Sequence, residues 1–201
     1  MTNSHIIFSK KLALWLSSSS KKTVGSMLDV FDEKSCAFVF LVLMIFPAAP
    51  IPTAGLVHVF EAIVILLALQ LVIGRRELWL PKRLMAIELD RTTRKKVLPF
   101  LLKRVQFFER FSHPRAAHVL QKTWFRMQLG VIVIVFSLAA FFAPPFTNLD
   151  TLPSLGVVLI ALGIILDDLV VIIAGYIVGA IGVSLAVVLG YSLVAAISSL
   201  F

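Results

Sequence analysis

Phe46-Pro47-Ala48-Ala49-Pro50-Ile51-Pro52-Thr53 and, later, Phe142-Ala143-Pro144-Pro145-Phe146-Thr147 decide how this chain is read. The first runs into Leu66-Leu67-Ala68-Leu69-Gln70-Leu71-Val72-Ile73, the second into Leu159-Ile160-Ala161-Leu162-Gly163-Ile164-Ile165-Leu166. Pro50 and Thr53 match Pro144 and Thr147 at an offset of 94, and Leu66 to Ile73 match Leu159 to Leu166 at 93, so one deletion reconciles the two. Apolar segments interrupted by proline at corresponding places in two halves point to a binding site inside a membrane bundle. The plainer alternative is two apolar hairpins that share only composition.

Composition places those segments in lipid. Hydrophobic residues make up 59% of the 201, and mean hydropathy is +0.98. A soluble domain is only about half apolar. The apolar runs are continuous rather than alternating, which argues for helices and against a β-barrel. Charge is segregated: all 19 Lys and Arg lie at or before Arg126, and beyond it stand only Asp150, Asp167 and Asp168. Arg75 to Arg126 holds 14 basic and 4 acidic residues, a net of +10. Such a segment stays in the cytoplasm by the positive-inside rule. Its excess reads as topology and contact with anionic headgroups rather than nucleic-acid binding. Cys36 is the single cysteine, so neither an intrachain disulfide nor a cysteine zinc cluster is available. The run Leu12-Ala13-Leu14-Trp15-Leu16 after Lys10 and Lys11 is too short for a secretory signal.

These features predict an all-α, polytopic helical membrane protein with two proline-broken hairpin repeats and a basic amphipathic cytoplasmic loop. Five segments follow: 1–35 polar or interfacial, with 1–22 loose and 24–34 a short surface helix; 36–73 the first broken hairpin; 74–126 the basic loop; 127–166 the second hairpin; 167–201 a glycine-rich membrane segment. Within the loop, Val97, Leu98, Leu101, Leu102, Val105 and Phe108 recur at helical spacing, with Lys96, Lys103, Gln106 and Arg110 on the other side. That helix suits either the bilayer interface or packing against other helices. Residues 169 to 201 carry no charge and would form a helix of about 50 Å against a core of about 30 Å, as one tilted span or two short ones. Gly175, Gly179, Gly182, Ala186 and Gly190 form a packing face. Basic residues at the N-terminus favour a parallel over an inverted repeat.

The chain resembles the ExoD family of bacterial exopolysaccharide-synthesis membrane proteins. The resemblance rests on Pro50-Ile51-Pro52-Thr53, on Leu67 to Arg76 followed by Trp79-Leu80-Pro81, on Phe146-Thr147-Asn148 with Leu152-Pro153, and on Leu159 to Asp168 with Ala174-Gly175. It implies a multi-pass inner-membrane protein linked to exopolysaccharide production, and it brings no catalytic motif. Glu61 in the first unit has no acidic counterpart in the second, which argues against symmetric chemistry in both halves.

Ionisable groups inside membrane segments cost roughly 2.5 to 3.5 kcal/mol on insertion scales, so each is a candidate. His58 and Glu61, three apart on one helix face, suit a proton relay, a cation site or a plain hydrogen-bonded pair. Asp167 and Asp168 mark the end of a span, paired with Arg75 or Arg76, or form a gate or headgroup contact. Arg75 and Arg76 match phosphate geometry. Thr53, Thr147 and Asn148, at the turns carrying Pro50 and Pro144, either contact a solute or cap the turns. No metal site is expected, since the apolar regions contain no second Glu-plus-His set. No catalytic signature is present, so neither an enzyme nor a cofactor is expected.

The leading expectation is transport or organisation of a lipid-linked or anionic intermediate. A small ion or proton transporter and a non-transporting scaffold for polysaccharide enzymes are the alternatives. Expected partners are anionic membrane lipids and polysaccharide-synthesis proteins, with a homo-oligomer left open and nucleic acid excluded.

Overall fold

Proline and glycine set where the helices of this chain begin and end. The computed structural model describes residues 8–18, 22–31, 34–49, 56–75, 79, 82–86, 88, 94–95, 98–110, 112, 117–120, 122–143 and 147–198. Among them are eight helices of eight residues or more: α1 (Phe8–Ser17), α2 (Val24–Phe31), α3 (Ser35–Met44), α4 (Leu56–Val72), α6 (Leu98–Glu109), α8 (Thr123–Phe141), α9 (Thr151–Leu166) and α10 (Leu169–Ser198). Two four-residue turns, α5 (Lys82–Met85) and α7 (Ala117–Leu120), lie in the basic segment. The described residues contain one isolated bridge, Thr23 to Glu88, and no strand. The chain is all-helical, as composition predicts.

Both expected interruptions are present. α3 ends before Pro47 and α4 begins after Pro52; α8 ends before Pro144 and α9 begins after it. Pro50, Thr53 and Pro144 themselves lie outside the described residues. α4 packs chiefly on α8, and α3 chiefly on α9, while each hairpin also pairs internally. Exchanging the pair α3–α4 for the pair α8–α9 leaves this pattern unchanged.

Contacts along the helices fix their ends. The His58 ring meets Phe141 edge-on at 5.5 Å, and a Cβ on Gly130 would sit 3.0 Å from Leu71 Cβ. α4 and α8 therefore run antiparallel. Lys34, ahead of α3, reaches Ile165 O at 2.9 Å and Asp167 Oδ2 at 2.6 Å, at the far end of α9. The C-terminal ends of α3 and α8 and the N-terminal ends of α4 and α9 thus lie at one end of the bundle, and Lys34, Gly74, Thr123 and Asp167 at the other.

α10 is one unbroken helix of 30 residues, with no interruption at Gly179 to Gly182. It packs along α9 through glycine. A Cβ on Gly156 would fall 2.5 Å from Gly179 Cα, one on Gly182 2.5 Å from Pro153 N, and one on Gly179 2.0 Å from Phe136 Cε2. Only hydrogen at these positions allows so close an approach.

Thr123–Phe141 and Leu169–Leu189 are long and apolar enough to cross a membrane, with only 33% and 22% of their apolar windows buried. Helices at the core of a soluble protein would be mostly covered. Here Val131, Val135 and Leu138 on α8, and Val170, Ile173, Ile177 and Ile181 on α10, face outward. α4 carries a similar exposed stripe, Val59, Ile63 and Leu66.

The N-terminal segment departs from the loose or interfacial reading of residues 1–22. Residues 8–17 form a helix with Phe8, Leu12 and Trp15 buried. Phe8, Phe31 and Phe38, one each from α1, α2 and α3, cluster with ring centroids 4.4 to 5.5 Å apart. The polar serines and lysines around α1 hide that apolar stripe in a composition count. Glu109 Oε1 accepts the Ser9 amide hydrogen at 3.0 Å, tying α6 to the first turn of α1. Thr23 and Ser26 cap α2 reciprocally, each side chain accepting the other's amide hydrogen at 3.1 Å. In α6 the face Leu98, Leu101 and Val105 is buried against protein, whereas Phe108, expected on it, is 37% exposed. Phe100 and Phe107 also face outward, with the Arg104 guanidinium 5.1 Å over the Phe100 ring.

Candidate functional site

Three helices bring polar atoms into an otherwise apolar interior. On α4 the residues Glu61, Val64, Ala68 and Leu71 form the buried stripe facing α8. Glu61 is 0% exposed. Its Oε2 is 2.8 Å from His58 Nδ1, and its Oε1 has no partner. The predicted i, i+3 pairing is therefore made, and it satisfies half of the carboxylate.

On α8, Gly130, Ser137 and Phe141 lie seven and four residues apart, which places them on one face. Gly130 touches α4 and Phe141 touches His58, so Ser137 between them also faces α4. The antiparallel register puts it at about the level of Glu61. Ser137 is fully buried and its hydroxyl is unpartnered.

On α9, Pro153 and Gly156 face α10. Ser154, Val157 and Ala161 make the neighbouring stripe, buried toward the rest of the bundle. The Ser154 hydroxyl is the third unpartnered buried oxygen. At the offset of 93 that aligns Leu66 with Leu159, Glu61 falls on Ser154. Asp150, one turn before Ser154, is close enough to His58 and Glu61 for their charges to be felt mutually. It stands ahead of α9, and burial pushes its carboxyl above the ordinary range while the nearby His58 opposes that shift. Measured along the helices, Glu61 is five residues in from the turn end of α4, Ser137 four from that of α8, and Ser154 three from that of α9. At 1.5 Å per residue all three lie about 4 to 8 Å below the turns.

The remaining candidates are scattered. Asp167 takes the left-handed conformation, φ 54°, as C-cap of α9, with Asp167 N–H on Ile164 O and Asp168 N–H on Gly163 O. That is a Schellman closure with Asp where Gly is usual. Its cation is Lys34, whose ammonium also donates to the Ile165 carbonyl in the last turn of α9. Asp168 is buried, accepts the Ser112 hydroxyl hydrogen at 2.9 Å and caps α10 through the Val170 amide at 3.0 Å. Arg75 is exposed at the loop end. Thr147 and Asn148 are exposed beside the second turn, Asn148 with φ 53°. The site therefore joins His58 and Glu61 but leaves Arg75, Asp167 and Asp168 at the opposite end of the bundle; Arg76 is outside the described residues.

Sequence reasoning missed Ser137, Ser154 and Lys34. Serine in an apolar run is too common to stand out; only the repeat offset singles out Ser154. Among the described residues no three His, Cys, Asp or Glu side chains converge as metal ligands.

Described residues that are all-helical, with outward-facing apolar helices around a buried carboxylate, are of the membrane-associated class. Residues 9–188 match the family described as Exopolysaccharide synthesis, ExoD. The chain belongs to this family, which ties it to exopolysaccharide synthesis. It is also similar to an uncharacterized protein, slr1875, of Synechocystis sp., at 28% identity over 178 residues, covering 89% of this chain and 80% of that one. No solved structure matches it.

Proposed function

We propose that the chain is a polytopic protein of the bacterial cytoplasmic membrane that moves protons or a small cation, and that this flux supports exopolysaccharide production without covalent chemistry. One observation carries the reading: Glu61 is sealed inside the helix bundle with one oxygen on His58 and the other unpartnered. A buried carboxylate so incompletely satisfied costs stability and is kept where its charge or proton is used. His58, about one-third exposed, gives that carboxylate a route toward solvent at the turn end. The interchangeable packing of the two hairpins supports reading them as a duplicated unit closing on this site. The basic segment 74–126 stays cytoplasmic by the positive-inside rule.

Purified protein in vesicles with an internal pH dye tests this. Wild type is expected to dissipate an imposed pH gradient faster than empty vesicles, with Glu61→Gln reduced to the empty-vesicle rate. A wild-type rate equal to that of empty vesicles counts against the reading.

A second reading, handling of a lipid-linked or anionic intermediate, draws on the loop end. There Trp79, Trp124 and Arg75 are exposed, a mixture suited to headgroups. It predicts that Arg75→Ala impairs exchange of labelled lipid phosphate more than Glu61→Gln does.

A further inference from the structure

The proposed transport leaves open what Glu61 carries, and three unpartnered oxygens bear on it. Glu61 Oε1, Ser137 Oγ and Ser154 Oγ are each fully buried and without a hydrogen-bond partner. They come from three helices, of which α8 packs on both α4 and α9. Ser137 lies on the α4 side of α8 at the level of Glu61, and all three sit within about one helical turn of the same depth. Buried polar groups are nearly always satisfied, so three orphans at one level mark a place built for something that satisfies them.

Charge narrows the occupant. Glu61 and Asp150 supply two carboxyl groups, and among the described residues His58 is the group beside them able to carry positive charge. No Lys or Arg occurs in α4, and those of α8 are confined to Arg126 at its far end. An apolar surround makes net negative charge expensive, so the site favours a positive occupant. Its free donors are all oxygen, one carboxylate and two hydroxyls, which suits a hard cation and disfavours a soft transition metal.

We infer that Glu61, Ser137 and Ser154 form a binding site for a dehydrated alkali cation, for which sodium is the probe, in competition with a proton on Glu61. The inference rests on the proposed ion-transport reading and deepens it. His58 holds the carboxylate in place, and Asp150 stands at the turn end ahead of α9. Sodium and proton share one carboxylate, so loading one expels the other.

The test is binding of radioactive sodium to purified detergent-solubilised protein, alongside melting in NaCl, KCl and choline chloride at equal ionic strength. Sodium is expected to raise the melting temperature where choline does not, with potassium measuring the selectivity of the site, and acidification to weaken sodium binding. Glu61→Gln should abolish the sodium response, and Ser137→Ala and Ser154→Ala should each weaken binding roughly tenfold. A sodium response that persists in Glu61→Gln overturns the site. So does the absence of any sodium response while Glu61-dependent proton flux continues; the transport reading then stands with a proton or water at the orphan oxygens. Sodium binding that depends on Glu61 without flux of either ion keeps the site and defeats the transport reading. Should Glu61→Gln fail to fold, the serine variants decide: unchanged sodium affinity in both, with native elution and helicity, overturns the inference.

Discussion

Asp150 shows how one side chain reports on the interior. Burial raises its carboxyl above the ordinary 3.8, so the fold favours the protonated form relative to the unfolded chain. Raising pH through that interval removes stability, which stays lower above the folded value. Asp150→Asn should therefore increase the melting temperature at pH 7 and lose that advantage below about pH 4, where the wild-type group is neutral. A melting series from pH 3 to 8 checks the sign. Lys34 is the converse, since its ammonium bonds two acceptors at the end of α9. Lys34→Met should cost about 1 to 3 kcal/mol through the unpaired Asp167 and Ile165 carbonyl. Part of that loss should fade at high salt, because the pair is partly exposed. Denaturant melts at two ionic strengths would show it.

At the scale of the element, glycine is the sensitive feature. A methyl on Gly179 would meet the Phe136 ring at 2.0 Å, whereas the obstacle at Gly156 is the backbone of Gly179 itself. A ring can be shortened and a backbone cannot. Gly179→Ala should lower thermal stability, by about 1 to 3 kcal/mol as overpacking does, and addition of Phe136→Leu should recover part of it. Gly156→Leu should admit no such second-site rescue. The helices themselves were legible in the sequence, because Pro47 to Pro52 and Pro144–Pro145 must interrupt them and the apolar runs between are continuous. α1 was not, because its apolar residues, Phe8, Leu12 and Trp15, are diluted by serine and lysine. The Glu61–His58 half of the site was legible from the cost of charge in lipid and from spacing three apart. Its serine half was not, since a hydroxyl becomes informative only when its helix neighbour and its lack of a partner are known. Nor could spacing reveal that Asp167 pairs with Lys34, a residue 133 positions away.

For the whole molecule, the two ends of the bundle differ in chemistry. Lys34, Gly74, Thr123 and Asp167 cluster at one, beside the basic segment, and His58 and Asp150 at the other. Cys36 is buried, so single introduced cysteines give a clean map. Thr147→Cys should react with an impermeant thiol reagent applied outside intact cells, and Arg75→Cys only after permeabilisation. Labelling of both from the same side would contradict the arrangement.

Gly182 already lies against Pro153 in the first turn of α9, yet α10 continues to Ser198, overshooting its neighbour by about 24 Å. A lipid sheet deep enough to swallow that mast from foot to tip would drown the bends at the Thr147 end of the bundle, whereas one that stops at Leu189 leaves that end wet. Acyl-chain length then becomes a dial: thin leaflets make the mast lean and lift the bends toward the surface, while thick ones keep them submerged.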